Sequence, residues 1–598
     1  MLTRLSTLLT LLSLVSTSSF SQQRSPNPTG GVPANQGHWD SVAHSQEFGE
    51  VTKARTAEDE GKIKFRSETT LIQVPVVVTD KSGNHLQGLN KDDFRIFENG
   101  KEQKISTFEE FVASTSKIPP PPTSPGTYSN LGVSESGKQA HAVTVLVIDT
   151  VNTPFLDQAV GRHELVKYLA NNMDTSQILA LMIINSSGVK VVQGLTGDPN
   201  QLLQVLKKVG GELPQNQGTS VDYQANAALG DIPQTVDSSQ TTNIAVMMAA
   251  VQSFQDYADT FAAQFQQSRA IEMTMNSFLS IAWSLSGVPG RKSIIWATSG
   301  FPFVISAPDV VPGNLGPLYE RMMKALIDGQ ISVYPVDVRG IITRGEGEAT
   351  PQGGFLNRAG SPAPGTRNNR MWLNADMIQS LNEFADMTGG KAFYNTNDLA
   401  GSFKRAADDS SSYYLVGYYL DTKNNHAGWR QLKVEVGKKD VEIRARKGFF
   451  VTRATVDPDS TRDYDLHTAL TSPIDGTGVP VTLKWTGITG EGDKKKAGYQ
   501  IQIPPNAVTI EGGDQSKLNF DIAIAAYNNK SKDDKPVVMQ GQTIDTAITP
   551  QQLASVRSSG ITINKNFEVG PGQYSVRLVI RDSATGKIGT VTAPLTVN

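Results

Sequence analysis

The sequence predicts a doubly wound α/β domain that follows a small N-terminal β module and precedes a C-terminal all-β sandwich. Between 141 and 450, short continuous apolar runs such as Val143–Ile148 alternate with helical segments such as Phe155–Leu169. This alternation is typical of a parallel sheet that is covered on both faces. From 473 to 598, strands of period two recur with regular turns, which is typical of a β-sandwich.

Length and composition limit the classes of function. At about 100 to 200 residues per domain, 598 residues suit several domains. The 58 acidic and 55 basic side chains nearly balance, which argues against a nucleic-acid partner because such proteins need a basic face. The chain has no cysteine, which excludes disulfides, thiolate metal sites and cysteine nucleophiles.

The first 21 residues predict a secretory signal peptide. A basic start, an apolar run from Leu5 to Val15, and small residues at Ser19 and Ser21 form the expected pattern. A membrane anchor is the alternative, but it needs about 20 apolar residues in succession. We therefore expect cleavage near Ser21, a secreted or periplasmic protein, and no transmembrane segment in the mature chain.

Three segments follow the signal peptide. Residues 22–64 are polar and rich in Pro and Gly, so we expect a disordered lead. Residues 65–112 alternate as strands, with a hairpin turn at Asn99-Gly100, and predict a small β module that packs on a neighbour. Residues 113–140 are rich in Pro, Ser and Gly and predict a linker.

The predicted α/β region contains two polar insertions, 211–243 and 340–370, and a long helical segment, 244–286, without Gly or Pro. That segment is either two consecutive helices that break near Gln267-Ser268 or one long helix. In the second case its N-terminal half projects and packs on a neighbouring module or a second chain.

The screen for catalytic motifs is negative, and we expect no enzyme. The seven histidines are scattered, and none forms the helical His-Glu pair of a zinc hydrolase. The segment Gly287–Ser293 lacks the spacing of a phosphate loop and precedes a strand instead of joining strand to helix.

Polar residues follow the predicted strands at the carboxyl edge of the parallel sheet, where ligands dock in such sheets. Asp149, Asn152 and Thr153 follow the first strand, and Asp337 and Arg339 end a later one. Arg344 lies in the second insertion, which either meets an acidic partner or is a solvated loop. We expect Asn152, Asp337, Arg339 and Arg344 to line a ligand-binding edge.

Several pieces of the sequence, through their residues and their order along the chain, resemble a von Willebrand factor type A domain. They resemble more closely the VWFA-related proteins of Acidobacteria. The central pieces are Val147–Thr153, Gly218-Thr219-Ser220, Thr298-Ser299-Gly300 and Phe384–Phe393, and the flanking pieces are Leu89–Gly100, Gly290–Trp296 and Ser411–Tyr419. The resemblance covers about Thr69 to Phe450.

The resemblance implies a degenerate metal site. Type A domains commonly hold Mg²⁺ through Asp-x-Ser-x-Ser, a loop threonine and a later aspartate. Asp149 takes the first carboxylate position, Thr153 the second hydroxyl and Thr219 the loop threonine, while Val151 and Ser299 replace two ligands. Mg²⁺ at these residues is one expectation. The alternative is that Asp149 caps the following helix through backbone N–H groups.

These observations predict an exported, non-enzymatic binding protein. Its type A-like domain would engage another protein or a cell-surface polymer at the carboxyl edge, with a metal ion as an optional aid. The alternative is a structural component of the envelope or matrix that assembles with copies of itself, in which case the long helix would mediate a homo-oligomer.

Overall fold

The computed structural model describes residues 71–112, 126–130, 143–171, 178–196, 199–210, 268–288, 290–301, 315–341, 366–409, 412–420, 428–451, 459–490, 492, 494–511, 516–531 and 535–598. The predicted signal peptide, the lead and the first part of the long helix lie outside these residues. So do Thr219 and Arg344.

The helices and strands are numbered in chain order. The first strands are β1 (Leu71–Asp80), β2 (Phe94–Glu98), β3 (Lys101–Gln103), β4 (Thr107–Val112) and β5 (Thr127–Ser129). The middle of the chain contains β6 (Val143–Asp149), α1 (Phe155–Asn171), β7 (Ile178–Asn185), β8 (Gly188–Thr196), α2 (Pro199–Leu206), α3 (described over 268–285), β9 (Lys292–Thr298), α4 (Gly316–Asp328), β10 (Ile331–Asp337), α5 (Thr366–Thr388) and α6 (Leu399–Asp408).

The remaining elements are mostly strands. They are β11 (Ser412–Tyr419), β12 (Gly428–Val436), β13 (Val441–Arg444), β14 (Gly448–Val451), α7 (Asp459–Thr471), β15 (Thr482–Thr489), β16 (Lys495–Ile503), β17 (Ile510–Glu511), β18 (Ser516–Asn528), β19 (Val538–Ile548), α8 (Pro550–Ser559), β20 (Ile561–Val569), β21 (Gly572–Asp582) and β22 (Ile588–Val597).

The predicted fold class, a doubly wound α/β domain with two β additions, is wrong. The protein is mostly β, with 46% strand against 28% helix, and many of its sheets are antiparallel. The strand-helix alternation in the sequence is a local pattern, and among the described strands it accounts for four parallel ones. The antiparallel sheets are built from segments that are distant in the chain, and no local pattern reports such pairing.

The N-terminal strands form two antiparallel sheets with strands that follow the parallel sheet in the sequence. Their orders are β13-β1-β11-β4 and β14-β12-β2-β3. Leu71 lies opposite Tyr419, for example. The β2–β3 turn has φ 47° at Asn99 and 80° at Gly100, which confirms the predicted hairpin. The segment 71–112 therefore completes its sheets with strands from 412–451.

The mixed sheet has the order β10-β9-β6-β7-β8, and β8 runs antiparallel to β7. One face packs on α1, α2 and α6, and the other on α3, α4 and α5. Gly161 in α1 permits one close contact, because a Cβ there would lie 2.9 Å from Val338 Cγ1. Hence α1 lies directly against the chain that leaves β10.

The C-terminal strands form two antiparallel sheets, β20-β16-β15-β5 and β17-β18-β21-β22, with β19 paired to β18. Both sheets contribute to one apolar core that includes Leu483, Ile501, Phe520 and Leu578. The short strand β5 comes from the predicted linker and pairs with β15. The helix α7 packs on the second sheet and was not predicted.

No helix in the described part of the chain is long and apolar enough to cross a membrane.

Candidate functional site

Three parallel strands end at the same edge of the mixed sheet. β6 ends at Asp149, β9 at Thr298 and β10 at Asp337, and the register sets Thr298 opposite Asp337. Ser299 follows Thr298 directly. The predicted residues Asp149, Ser299 and Asp337 therefore lie along one edge, as expected for the carboxyl ends of parallel strands.

The Asp149 carboxylate is fully buried and accepts five hydrogen bonds. Oδ1 accepts from the backbone N–H groups of Val151 and Asn152, both at 2.9 Å. Oδ2 accepts from Asn152 Nδ2 at 2.8 Å, Trp296 Nε1 at 3.1 Å and Thr298 Oγ1 at 3.0 Å. These bonds fold residues 149–152 into a tight turn.

The donors to Asp149 are all neutral, and burial raises the pKa of its carboxyl, while the hydrogen bonds from Asn152 and Thr298 oppose that rise. Trp296 and Thr298 were not predicted as partners of Asp149. Both are on β9 beside β6, and their side chains share a face with that of Asp149 because side chains alternate along a strand.

The resemblance to type A domains implies Mg²⁺ here, and the described residues do not fit the ion. A carboxylate offers about four lone-pair positions, and five donors already contact Asp149. The Val151 side chain has no ligating atom. No cluster of three or more His, Asp or Glu side chains suited to a metal occurs within the described ranges. The carboxylate instead binds backbone N–H groups of its own loop, those of Val151 and Asn152, which precede the first residue of α1, Phe155.

Thr153 and Ser299 tie the ends of β6 and β9 together. Thr153 Oγ1 accepts from the Ser299 backbone N–H at 3.2 Å, and Ser299 Oγ donates to Asp157 Oδ2 at 3.2 Å. Burial raises the pKa of the Asp157 carboxyl, the Ser299 hydrogen bond and the Arg339 charge lower it, and the Asp337 charge raises it. Asp157, in the first turn of α1, was not predicted as a site residue.

Asp337 and Arg339 form a close ion pair. Arg339 Nε donates to Asp337 Oδ1 at 2.9 Å, and one terminal nitrogen donates to Oδ2 at 2.7 Å. The Asp337 side chain is fully buried, whereas that of Arg339 is 16% exposed. The partly exposed Arg339 guanidinium is thus neutralised by the buried Asp337 carboxylate.

Asn152 connects the loop to α3. Its Nδ2 donates to Thr274 Oγ1 at 2.8 Å as well as to Asp149. Its Oδ1 is buried and has no hydrogen-bond partner among the described residues. The loop after β6 is therefore supported from β9 and from α3.

Apolar side chains are exposed where α1 begins, beside this loop. Phe155 is 40% exposed, Leu156 77% and Val160 46%. Leu156 and Val160 are four residues apart and lie on one side of the helix. We call these three residues the α1 patch. The α1 patch was not predicted from the sequence.

Comparisons with known proteins yield distant likenesses. No family model and no curated protein matches the chain. The TFIIH p34 N-terminal domain aligns over 33% of this chain and 79% of its own, at 11% identity and TM-score 0.14. The SpRpn10 VWA domain aligns over 33% and 74%, at 14% identity and TM-score 0.15.

The open conformation of the pilus adhesin SpaC from Lactobacillus rhamnosus GG aligns over 86% of this chain and 73% of its own, at 9% identity and TM-score 0.25. Because these TM-scores are low, the function is argued from the residues.

Proposed function

We propose that the protein is an exported, non-enzymatic binding protein, and that the α1 patch contacts a partner protein. The observation that carries the proposal is the exposure of Phe155, Leu156 and Val160 together at the edge of the sheet. Exposed apolar side chains that cluster beside polar groups are typical of protein interfaces. Export rests on the predicted signal peptide at 1–21.

Rigid support of the patch favours recognition. Asp149 holds the turn that precedes α1, and Gln158 Nε2, which is buried, donates to the Thr153 carbonyl oxygen at 2.9 Å. A surface that is already ordered loses less conformational entropy when it binds. The charged rim is supplied by Arg339 and Asp157, which suits the polar periphery of an interface.

The environment of Ser299 at the same edge favours a structural role for its hydroxyl. Ser299 Oγ donates to the Asp157 carboxylate, and a serine nucleophile would need such an acceptor. However, Ser299 is only 4% exposed, and its backbone N–H donates to Thr153 Oγ1. This burial supports the non-enzymatic part of the proposal. The bond serves as an internal tie between β9 and α1.

The test replaces two apolar side chains of the α1 patch with charged ones. Leu156→Asp with Val160→Asp should weaken capture of a defined partner, isolated by cross-linking from the envelope, by more than about tenfold. Val537→Asp is the matched control, because Val537 is 54% exposed and lies in the C-terminal region. EDTA should leave capture unchanged, since Asp149 does not fit a metal.

Two results would overturn the proposal. One is equal loss of capture in the Val537→Asp control. The other is light scattering that shows a mass rising with concentration, abolished by the α1 substitutions, since the occupant would then be a second copy of the chain. That result would support the self-assembling alternative.

A further inference from the structure

The two sheets of the C-terminal sandwich differ in what covers their outer faces. The outer face of β18 and β21 is covered by α7, where Arg577 Nε donates to the Ala469 carbonyl oxygen at 2.7 Å. Leu466 and Leu470 of α7 share a core with Ala523, Ala525 and Val579 of these strands. The other sheet, β20-β16-β15-β5, presents its outer face to solvent.

That open face carries amides and hydroxyls in cross-strand rows. In one row Thr482, Gln502 and Thr562 lie opposite one another, and in the next Gln500 lies opposite Asn564. Asn566 follows on β20. We call these six residues the amide face. Gln502, Thr562, Asn564 and Asn566 are exposed, and Thr482 and Gln500 are half-buried.

The amides of this face are joined in a chain. Gln502 Nε2 donates to Gln500 Oε1 at 3.1 Å, and Gln500 Nε2 donates to Asn564 Oδ1 at 3.0 Å. Within the described residues this leaves Gln502 Oε1 and Asn564 Nδ2 without partners, at opposite ends. The chain holds the side chains in place and presents one acceptor and one donor to a ligand.

The six residues of the amide face are uncharged. Lys484 is the charged side chain in these rows, beside Gln500. Further along, Lys496 and Glu568 lie opposite each other with 3.9 Å between Nζ and Oε1. A polyanion would need clustered Arg or Lys, and a protein partner would favour aromatic or Arg anchors. The amide face provides neither.

We infer that the amide face binds a neutral polyhydroxylated polymer, a glycan without carboxylate, sulfate or phosphate groups. Each hydroxyl both donates and accepts a hydrogen bond, and each amide does the same through two atoms. Strands lie about 4.8 Å apart, a spacing comparable to one sugar unit of an extended chain. The rows therefore present matched positions to successive units. This site is distinct from the α1 patch.

The experiment is native electrophoresis of the full chain in gels that contain hydroxyethyl cellulose, a neutral glucan, or alginate, a polyanion. The wild type should be retarded by the neutral polymer more than by alginate. Gln502→Glu with Asn566→Asp should weaken the apparent affinity at least about fivefold, because two amides become charged acceptors. Both residues are exposed, so the variant should keep the thermal midpoint of the wild type.

Gln540→Glu is the matched control, because it makes the same change at an exposed strand residue of the other sheet. It should retain wild-type retardation, and so should the Leu156→Asp, Val160→Asp variant, which separates this inference from the proposed function. Stronger retardation by alginate, no retardation by the neutral polymer, or equal loss in Gln540→Glu would each overturn the inference.

Discussion

Buried carboxylates occur in two regions of the molecule, and their partners differ. At the edge of the mixed sheet, Asp149 is held by neutral donors from Asn152, Trp296 and Thr298. Between α7 and the sandwich, Arg581 lies 3.2 Å from Asp465 and 3.5 Å from Asp521. Asp149 therefore shapes a loop at the surface. Asp465 and Asp521, in contrast, join α7 to the sandwich through the opposite charge of Arg581.

The two regions differ in the groups that stabilise a buried carboxylate. Arg321 of α4 also contacts Asp465 at 3.4 Å, and Arg462 of α7 contacts Asp521 at 2.8 Å, so the interface is an alternating network of charges. Removing Arg581 takes one cation from both buried carboxylates, which then keep Arg321 and Arg462 as their cationic partners. At Asp149, hydrogen bonds alone oppose the effect of burial, and the pKa of its carboxyl remains raised.

The largest effect is expected from breaking the charged network. Arg581→Met should lower the free energy of unfolding by about 3 to 5 kcal/mol, because Asp465 and Asp521 stay buried and lose a shared cation. Urea denaturation measures this. Arg557→Met, at an exposed position on α8, should change it little. A loss in Arg581→Met no larger than in this control would contradict the network's role.

Lys292 is a buried cation that has no carboxylate partner among the described residues, and it provides a second contrast with the charged network. Lys292 at the start of β9 is 3% exposed, and its Nζ donates to the Val288 carbonyl oxygen at 2.6 Å. Burial lowers the pKa of Lys292 to about 7. Between that value and the ordinary lysine pKa of about 10.4, the unfolded chain binds one more proton than the folded chain, so stability rises with pH in this window.

Lys292→Met removes this dependence. The wild type should gain about 2 to 3 kcal/mol relative to the variant between about pH 7 and pH 9, and below about pH 7 the variant should be the more stable of the two. Urea denaturation across that range checks the slope. Lys433→Met, with a side chain 70% exposed, should keep the wild-type slope. Parallel curves for wild type and Lys292→Met would refute the assignment.

A smaller effect is expected at Asp149. Asp149→Asn should lower the free energy of unfolding by about 2 kcal/mol, because one side of the amide becomes a donor that faces other donors. Trp296 fluorescence should shift, since its indole N–H loses a charged acceptor. Asp440→Asn, with a side chain 73% exposed, is the control and should be neutral. Unchanged stability and fluorescence in Asp149→Asn would contradict the five-bond arrangement.

The edge of the sheet could be predicted in part from the sequence. Asp149, Ser299 and Asp337 each end or follow a continuous apolar run, and parallel strands bring such positions to one edge. Asp157 and the α1 patch could not be predicted, because the side of α1 that faces solvent depends on how Gly161 packs on Val338. Whether the ligands implied by the resemblance can hold Mg²⁺ depends on which donors surround Asp149, and the sequence does not show those donors.

The overall fold was harder to predict for a related reason. Alternation in β16 makes Gln500 and Gln502 share a face, but only the register with β20 and β15 brings Asn564 and Thr482 beside them. The strand β5 has three residues, too few to show a period. Continuous apolar runs indicate the four parallel strands. Which distant segments pair to form the antiparallel sheets depends on tertiary contacts, and local periodicity does not report those contacts.

The strand β5 also has a consequence for synthesis of the chain. Ser129 and Thr482 are 353 residues apart, and their hydroxyl groups share a hydrogen bond. At roughly 5 to 20 residues per second, the ribosome needs tens of seconds to make the partner of a strand that emerged early. The nascent chain must keep β5 unpaired for that time, so the sandwich can close only after β15 has been made.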